Sequence, residues 1–401
     1  MPQTEVDPRR LLPLIVTVTG MGVLAFAIIA PALPDLADEL GVSRGSIGLV
    51  QGAVAIPGIF LAAYIGYLAD RFGRRRVIRV SLLIFGIFGL ASFFARSYWL
   101  LVGARILQGL GTSGLLSLGV VLIGDLFTGI ERRRAMGINM AALTMTTTLA
   151  PIAGGFIAEG GAFRPFLVFV VAFPVLFMAR RLPDPPAASP PSPPFRHLGE
   201  AMHLLKIKRK RSDFLGVLPM SLITLGVFLG LGLTVLPLFL EREFGLGVSQ
   251  RGLIAAILSS SSSTASALSG RVGSRFLPRQ VLTTAFTFMV VGFTVIGLSP
   301  SLWVLPLGLI VLGFATGSIF PLLQDYAAGV GPAHYRGMLV GTWVSANRVG
   351  QFAGPAGGTA VADAIGDRRA YFGGAVVMGI VAVTWLPLRR LGKLISQRGG
   401  R

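Results

Sequence analysis

Gly66-Tyr67-Leu68-Ala69-Asp70-Arg71-Phe72-Gly73-Arg74-Arg75-Arg76 is an arginine-rich break between two long apolar runs. It returns, weakened, 204 residues later as Gly270-Arg271-Val272-Gly273-Ser274-Arg275-Phe276-Leu277-Pro278-Arg279. The same offset carries Arg132 to Arg336, Pro151 to Pro355 and Gly48 to Gly252. A repeat of half the chain, built from apolar helices, predicts two similar halves about an axis along the membrane normal, with a ligand bound between them.

Working outward from that loop, the chain of 401 residues is 53% hydrophobic and only 13% charged, more apolar surface than one soluble core of this size can hide. Crossing about 30 Å of hydrocarbon takes about 20 apolar residues. Roughly twelve windows of that kind occur, near 11–33, 46–69, 77–95, 99–126, 134–158, 164–182, 214–237, 249–273, 280–298, 302–326, 337–362 and 370–388. The run 11–33 is too long for the core of a signal peptide and reads as the first span. None shows the short alternation of a barrel strand, so all are expected to be helices. The expected fold is an all-α membrane protein of twelve transmembrane helices, arranged as six-helix bundles over 1–182 and 214–401. Between them, 183–213 opens with the proline-rich stretch Pro183-Asp184-Pro185-Pro186 to Pro193-Pro194, which reads as a stiff cytoplasmic linker. Phe195, Leu198, Met202 and Leu205 then recur at helical spacing beside Lys206, Lys208, Arg209, Lys210 and Arg211, a pattern suited to anionic headgroups at the bilayer surface.

The formal net charge of +19 is a topology signal. Of the 36 Lys and Arg residues, 27 fall in the termini and the loops on one side and seven on the other, the seven being Arg44, Arg96, Arg164, Arg242, Arg251, Arg368 and Arg369. The bias places both termini in the cytoplasm of a multi-pass protein of the inner or plasma membrane, and removes the basis for a nucleic-acid partner. Cysteine is absent and the three histidines are scattered, so no metal or other cofactor is implied. No nucleophile–base pair or phosphate loop points to an enzyme.

Two arginines remain, Arg105 and Arg348, both inside apolar windows. Arg105, Gln108 and Gly109 share one face of the fourth helix, and Arg348 and Gln351 share a face of the eleventh beside Asn347. An intramembrane charge disfavours insertion by about 2.5 kcal/mol or more, so each needs protein or water around it. Each either locks helix to helix or handles substrate or protons. Under the offset, Arg105 falls opposite Leu309, Gln108 opposite Leu312, Asn139 opposite Trp343, Arg348 opposite Thr144 and Gln351 opposite Thr147. Features present in one half only suit an asymmetric ligand, which makes Arg105, Gln108, Asn139, Asn347, Arg348 and Gln351 the candidate pathway. Asp35, at the outer end of the first helix, is its nearest acid. Pro151, Gly154 and Gly155 in the fifth helix, and Gly354 and Pro355 in the eleventh, are candidate hinges. Thr144, Thr146 to Thr148 and Ser259 to Ser263 read as packing residues. Asp70 beside Arg71 and Arg74 reads as a conformational latch.

The Gly66 to Arg76 segment, with Gly66, Asp70, Arg71, Gly73 and Arg74, resembles the signature loop between helices two and three of the major facilitator superfamily. Arg105, Gln108, Gly109 and Gly111 resemble its fourth-helix motif, and Pro151, Gly154 and Gly155, with Phe163-Arg164 beyond, its antiporter motif; the likeness covers nearly the whole chain and points to the twelve-helix drug/proton antiporter branch. The resemblance implies alternating access by a rocker-switch motion, a cytoplasmic latch of Asp70, Arg74 and Asp125 in the outward-facing state, and assistance to proton movement by Arg105. The chain departs from the pattern at Thr146, Ala150 and Ser274, and its first helix has no interior carboxylate. The expected function is proton-coupled efflux of a small amphipathic or anionic molecule by a monomer, as in multidrug resistance. A proton symporter or facilitator for a metabolite is the alternative, and a non-transporting receptor or channel a more distant one.

Overall fold

The computed structural model describes residues 8–183, 208–329 and 336–388. The described residues are almost wholly helical and form twelve helical columns. The first consists of Pro8–Ala27, a 3₁₀ turn at Ala30–Ala32, and Leu33–Leu40. The second runs through Arg44–Gly52, Ala53–Ala55 and Ile56–Phe72. Arg74–Phe94, Tyr98–Leu126 and Gly129–Ala158 are the third to fifth, and Arg164–Val171, Ala172–Met178 and Ala179–Arg181 make the sixth. The seventh is Lys208–Val227, Phe228–Val235 and Leu236–Phe244. Val248–Arg275, Pro278–Leu298, Leu305–Gly329, Arg336–Ile365 and Asp367–Leu388 complete the set. Eight stretches among the described residues are long and apolar enough to cross a bilayer by themselves.

Local chemistry explains the irregular columns. Pro31 and Pro34 interrupt the first helix and Pro57 the second, since proline supplies no N–H to the preceding turn. The sixth column begins as 3₁₀ helix at Arg164–Val171. In the seventh, Phe228–Val235 widens to a π-helix around Gly230 and Gly232, and the Thr234 hydroxyl donates to the carbonyl five residues back, Leu229, at 2.9 Å. The seventh helix starts at Lys208, earlier than the expected 214, so Lys208 to Arg211 belong to its first turn. Phe195 to Lys206, most of the proline-rich stretch, the histidines and the C-terminal arginines lie outside the described residues.

Buried apolar side chains form two cores, one drawn from Leu11 to Leu182 and one from Val217 to Val381. Leu238 of the seventh helix is the exception in sequence, being buried in the first core. It marks the end at which the halves are pressed together. There a Cβ on Gly48 would collide with the Pro355 carbonyl oxygen, and one on Gly252 with that of Pro151. These two seams, second helix on eleventh and eighth on fifth, exchange under the offset of 204. Beside them Gly52 stands against the Phe352 carbonyl and Gly155 against that of Val248, at 2.5 and 2.7 Å for an added Cβ. Glycine permits this backbone-to-backbone approach, the usual currency of helix packing in lipid.

Two ion pairs lie over the seams. Arg44, opening the second helix, holds Glu241 at the end of the seventh with a bidentate contact that includes one bond of 2.8 Å. Arg251 of the eighth holds Asp35 of the first at 2.5 Å. These are near-symmetric counterparts, each joining one half to the other. The Thr359 hydroxyl adds a bond of 2.7 Å to the Gly45 carbonyl.

An alanine at Gly252 forces the seam apart, and overpacking of this kind typically destabilises by about 1–3 kcal/mol. Because the chain has no cysteine, Leu238→Cys can serve as a single reporter in purified protein. Gly252→Ala is expected to raise its maleimide labelling rate by about fivefold or more; an unchanged rate would show that the seam tolerates a side chain.

Candidate functional site

Arg105 is fully buried. Its Nη2 donates to the Ala25 carbonyl at 2.6 Å, its Nε to the Val50 carbonyl at 3.3 Å, and its Nη1 to Gln108 Oε1. The Phe166 ring lies 5.9 Å below the guanidinium. Ala25 lies in the last turn of Pro8–Ala27, the α-helical part of the first column, and Val50 in the last turn of Arg44–Gly52, just before the second tightens to 3₁₀ helix. Helix ends leave carbonyls without intrahelical donors. Gln51 serves another, donating to the Phe26 carbonyl at 2.7 Å. Gln51 was missed in the sequence, although Pro31 five residues beyond Phe26 signals carbonyls in need of donors. Arg105 therefore ties three helices of the first half together and meets no solvent.

Arg348 has the same spacing to its glutamine, donating to Gln351 Oε1 at 2.7 Å, but a different setting. It lies near the middle of the eleventh helix and keeps 8% of its surface exposed. Its stem lies across the boundary between halves, 3.0 Å from where a Gly58 Cβ would stand, with Ser113 Oγ 3.1 Å from the same point. Gln351 is its one hydrogen-bond partner among the described residues, and no carboxylate pairs with it there.

Asn139 and Asn347 do not join Arg105 and Arg348 in one cluster. The Thr19 hydroxyl donates to Asn139 Oδ1 at 2.6 Å, linking first and fifth helices. Ser221 donates to Asn347 Oδ1 at 2.9 Å, linking seventh and eleventh. These are equivalent joints in the two halves, hidden from a comparison at fixed offset because the counterparts have shifted along their helices, Ser221 to one side of its offset position and Asn347 to the other. Asn139 Nδ2 is buried without a partner among the described residues. Asp35 stands away from all of these at the closed end, paired with Arg251.

The signature loop forms a local ion cluster. Arg74 contacts Asp125 of the fourth helix and lies 3.5 Å from Asp70 of the second, joining three helices. Gly73 makes the turn with φ at +89°, a region that favours glycine. Arg71 donates to the Tyr67 hydroxyl at 3.0 Å. A side chain at Gly66 would meet nothing within 4 Å. The fifth and eleventh helices continue unbroken through Pro151 and Pro355. Gly154 presses on the Ile28 carbonyl and Gly354 on that of Gly226. The serine run is a packing surface, with Gly313 and Gly317 of the tenth helix against Ser261 and Ser262.

At the closed end Arg242 bridges Asp363 at 3.2 Å and Asp367 at 3.1 Å. Burial pushes the Asp367 carboxyl up from its ordinary 3.8, and Arg242 pulls it partly back. Asp367 precedes the apolar window 370–388. A folded state that holds this proton more tightly than the unfolded chain loses stability as pH rises from 3.8 through the raised value.

The family model described as Major Facilitator Superfamily matches residues 15–239 and 220–397. The chain belongs to the major facilitator superfamily. It is a membrane transporter and not an enzyme. Multidrug resistance protein MdtG of Escherichia coli (strain K12 / DH10B) is 27% identical over 387 residues, 91% of each chain. The Bacillibactin exporter of Bacillus subtilis (strain 168) is 31% identical over 150 residues, 36% of this chain and 37% of that one, so the match spans little more than a third of that relative. A bacterial homolog of the human lysosomal transporter Spinster, solved in an inward-facing and unoccupied conformation, superposes with a TM-score of 0.79 at 16% identity. It covers 97% of this chain and 98% of that one, and shows the same fold.

The two arginines separate by stability. Arg105→Ala strands backbone carbonyls, each a loss of about 1–3 kcal/mol, and is expected to lower the unfolding midpoint in detergent clearly. Arg348→Gln removes one bond at the boundary and should leave it nearly unchanged. For Asp367→Asn, the decline in stability between about pH 4 and neutrality should flatten, read from unfolding midpoints across that range.

Proposed function

We propose that this transporter is a proton-coupled antiporter that exports a small amphipathic or anionic molecule across the plasma membrane by alternating access. The conformation described above is then the state closed to the outside and open to the cytoplasm, where both termini lie. Arg348 carries the reading. A guanidinium at mid-depth, at the contact between halves and bonded to a neutral amide, offers N–H groups to a carboxylate or similar acceptor, and arginine binds such groups in charge-assisted pairs. Gln351 and Asn347 stand beside it. Arg105, enclosed by backbone, holds the first half rigid around that site. The names of two relatives, a multidrug resistance protein and a bacillibactin exporter, agree with efflux. The Asp70, Arg74 and Asp125 cluster, formed within the first half in this state, is available as a latch once the cytoplasmic side closes, and the proline-bearing fifth and eleventh helices supply the hinge.

Proton coupling is assigned to the closed end. Asp35 keeps Arg251 only while the halves touch, so separation frees a carboxylate to take a proton from outside. Binding of the proton and opening are then linked through one pair.

Proteoliposomes loaded with an amphipathic carboxylate, and separately with its neutral amide, test both parts. Arg348→Gln is expected to slow carboxylate export about tenfold or more while sparing the amide, and Asp35→Asn to abolish acceleration by an external acid pH while exchange at equal pH persists. Uptake driven by the same gradient would identify a symporter instead. Equal carboxylate export by Arg348→Gln and the unsubstituted chain would remove the anion site.

A further inference from the structure

The two copies of the signature loop are not equivalent, and the difference leaves a gap. In the first half Arg74 is neutralised by two carboxylates of the chain itself, Asp70 and Asp125, and the ends of the second, third and fourth helices close around it. The offset of 204 replaces Asp70 by Ser274, Arg74 by Pro278 and Asp125 by Gly329. Among the described residues the second half has no such cluster; its nearest carboxylate, Asp325, stands one helical turn before Gly329 and is paired with no arginine there. Close packing is lost in parallel. Gly114 of the fourth helix is pressed on Ser81 of the third, within 3.0 Å of its Cβ for an added side chain. Its counterpart is Ser318, and that of Ser81 is Ala285.

Between the eighth, ninth and tenth helices, where the first half is sealed, lies a cavity of about 210 Å³ walled by Val272, Phe276, Thr284, Phe288, Phe314 and Ser318. A more open recess of about 520 Å³ continues from it, sharing Phe276 and Thr284 and edged by Arg279 and Gln280. Phe276 and Phe288 are largely exposed, at 56% and 41%. Gln280 Oε1 accepts from the Leu277 N–H at 3.0 Å, which fixes the amide at the rim. Among the described residues neither Arg275 nor Arg279 is paired with a carboxylate.

We propose that an anionic phospholipid occupies this wedge, its acyl chain against Phe276, Phe288 and Phe314 and its phosphate at Arg279. The reason is complementarity of two kinds in one place. The apolar cavity needs hydrocarbon to fill it, and the rim needs the anion that Asp70 and Asp125 provide in the other half. A lipid supplies both. The site opens at the loop between the eighth and ninth helices, the depth at which headgroups lie, and a basic side chain near a membrane surface favours an anionic lipid by about fivefold. The inference is independent of the transported substrate.

The test uses vesicles of phosphatidylcholine doped with chain-brominated phosphatidylglycerol or chain-brominated phosphatidylcholine. Phe288→Trp places a fluorophore in the wall, and the signal of the chain without it is subtracted. Quenching is expected at about fivefold lower mole fraction for the anionic lipid, and Arg279→Gln in that background should bring the two lipids together. Ala285→Phe, which fills the cavity, should reduce quenching by both, and its unfolding midpoint reports whether the bundle survives. Equal quenching by the two lipids, or a preference that persists in Arg279→Gln, overturns the proposal. Loss of the preference on adding inorganic phosphate would mark a phosphate site and overturn it as well.

Discussion

The contact of bare backbone with bare backbone across the two halves is the constraint on which the rest depends. Gly48 lies on the Pro355 carbonyl and Gly252 on that of Pro151. In lipid there is no hydrophobic drive for helices to associate, so close van der Waals approach has to supply it. A seam of glycines achieves that without interlocking large side chains, and can therefore part without first unpacking a core. The ion pairs Arg44–Glu241 and Arg251–Asp35 sit at the watery end of the seams, where single pairs contribute modestly and mainly fix register.

Much of this was legible in the sequence, and the parts that were not share a physical cause. The twelve apolar windows became twelve columns because length and apolarity are set by the bilayer rather than by tertiary detail. The offset of 204 picked out Gly48 with Gly252 and Pro151 with Pro355. It did not show that the partners cross, Gly48 meeting Pro355, because a repeat relates equivalent positions and not touching ones. Likewise the sequence counts Arg44 and Arg251 only among the outer charges and places Asp35 only as the acid nearest the pathway, and neither reading pairs them across the halves. The hydroxyl–asparagine joints of Thr19 with Asn139 and Ser221 with Asn347 were concealed by shifts along their helices, which a helix absorbs and a fixed offset does not. The π turn at Phe228–Val235 and the 3₁₀ start of the sixth column depend on neighbours, and period alone does not distinguish them from α-helix.

Symmetry and its failure divide the molecule into different tasks. Where the halves agree, at the glycine–proline seams and the cross-half ion pairs, the residues build the closing surface, and a two-fold arrangement needs only one kind of contact to serve both sides. Where they differ, chemistry becomes local. The first half closes its signature loop with Asp70, Arg74 and Asp125, while the second carries Ser274, Pro278 and Gly329 and stays open between its helices. Arg74 is thus neutralised within the first half, while Arg275 and Arg279 of the second have no carboxylate partner among the described residues.

The two intramembrane arginines make the same point at the level of single residues. Arg105 and Arg348 each bind a glutamine three positions on, so neither helical spacing nor apolar surroundings separates them. Their neighbours do. Arg105 faces the first and second helices where Pro31 and Pro57 interrupt the regular ladder, and backbone carbonyls there accept its protons. Arg348 packs on Gly58, where a Cβ would stand only 3.0 Å from its stem, and it makes no bond to a backbone carbonyl among the described residues. A buried guanidinium surrounded by carbonyls is spent on structure; one beside a glycine at the contact between the two halves keeps N–H groups that no backbone carbonyl accepts. The role of an arginine in a membrane is therefore written in the prolines and glycines of the helices it faces, more than in the helix that carries it.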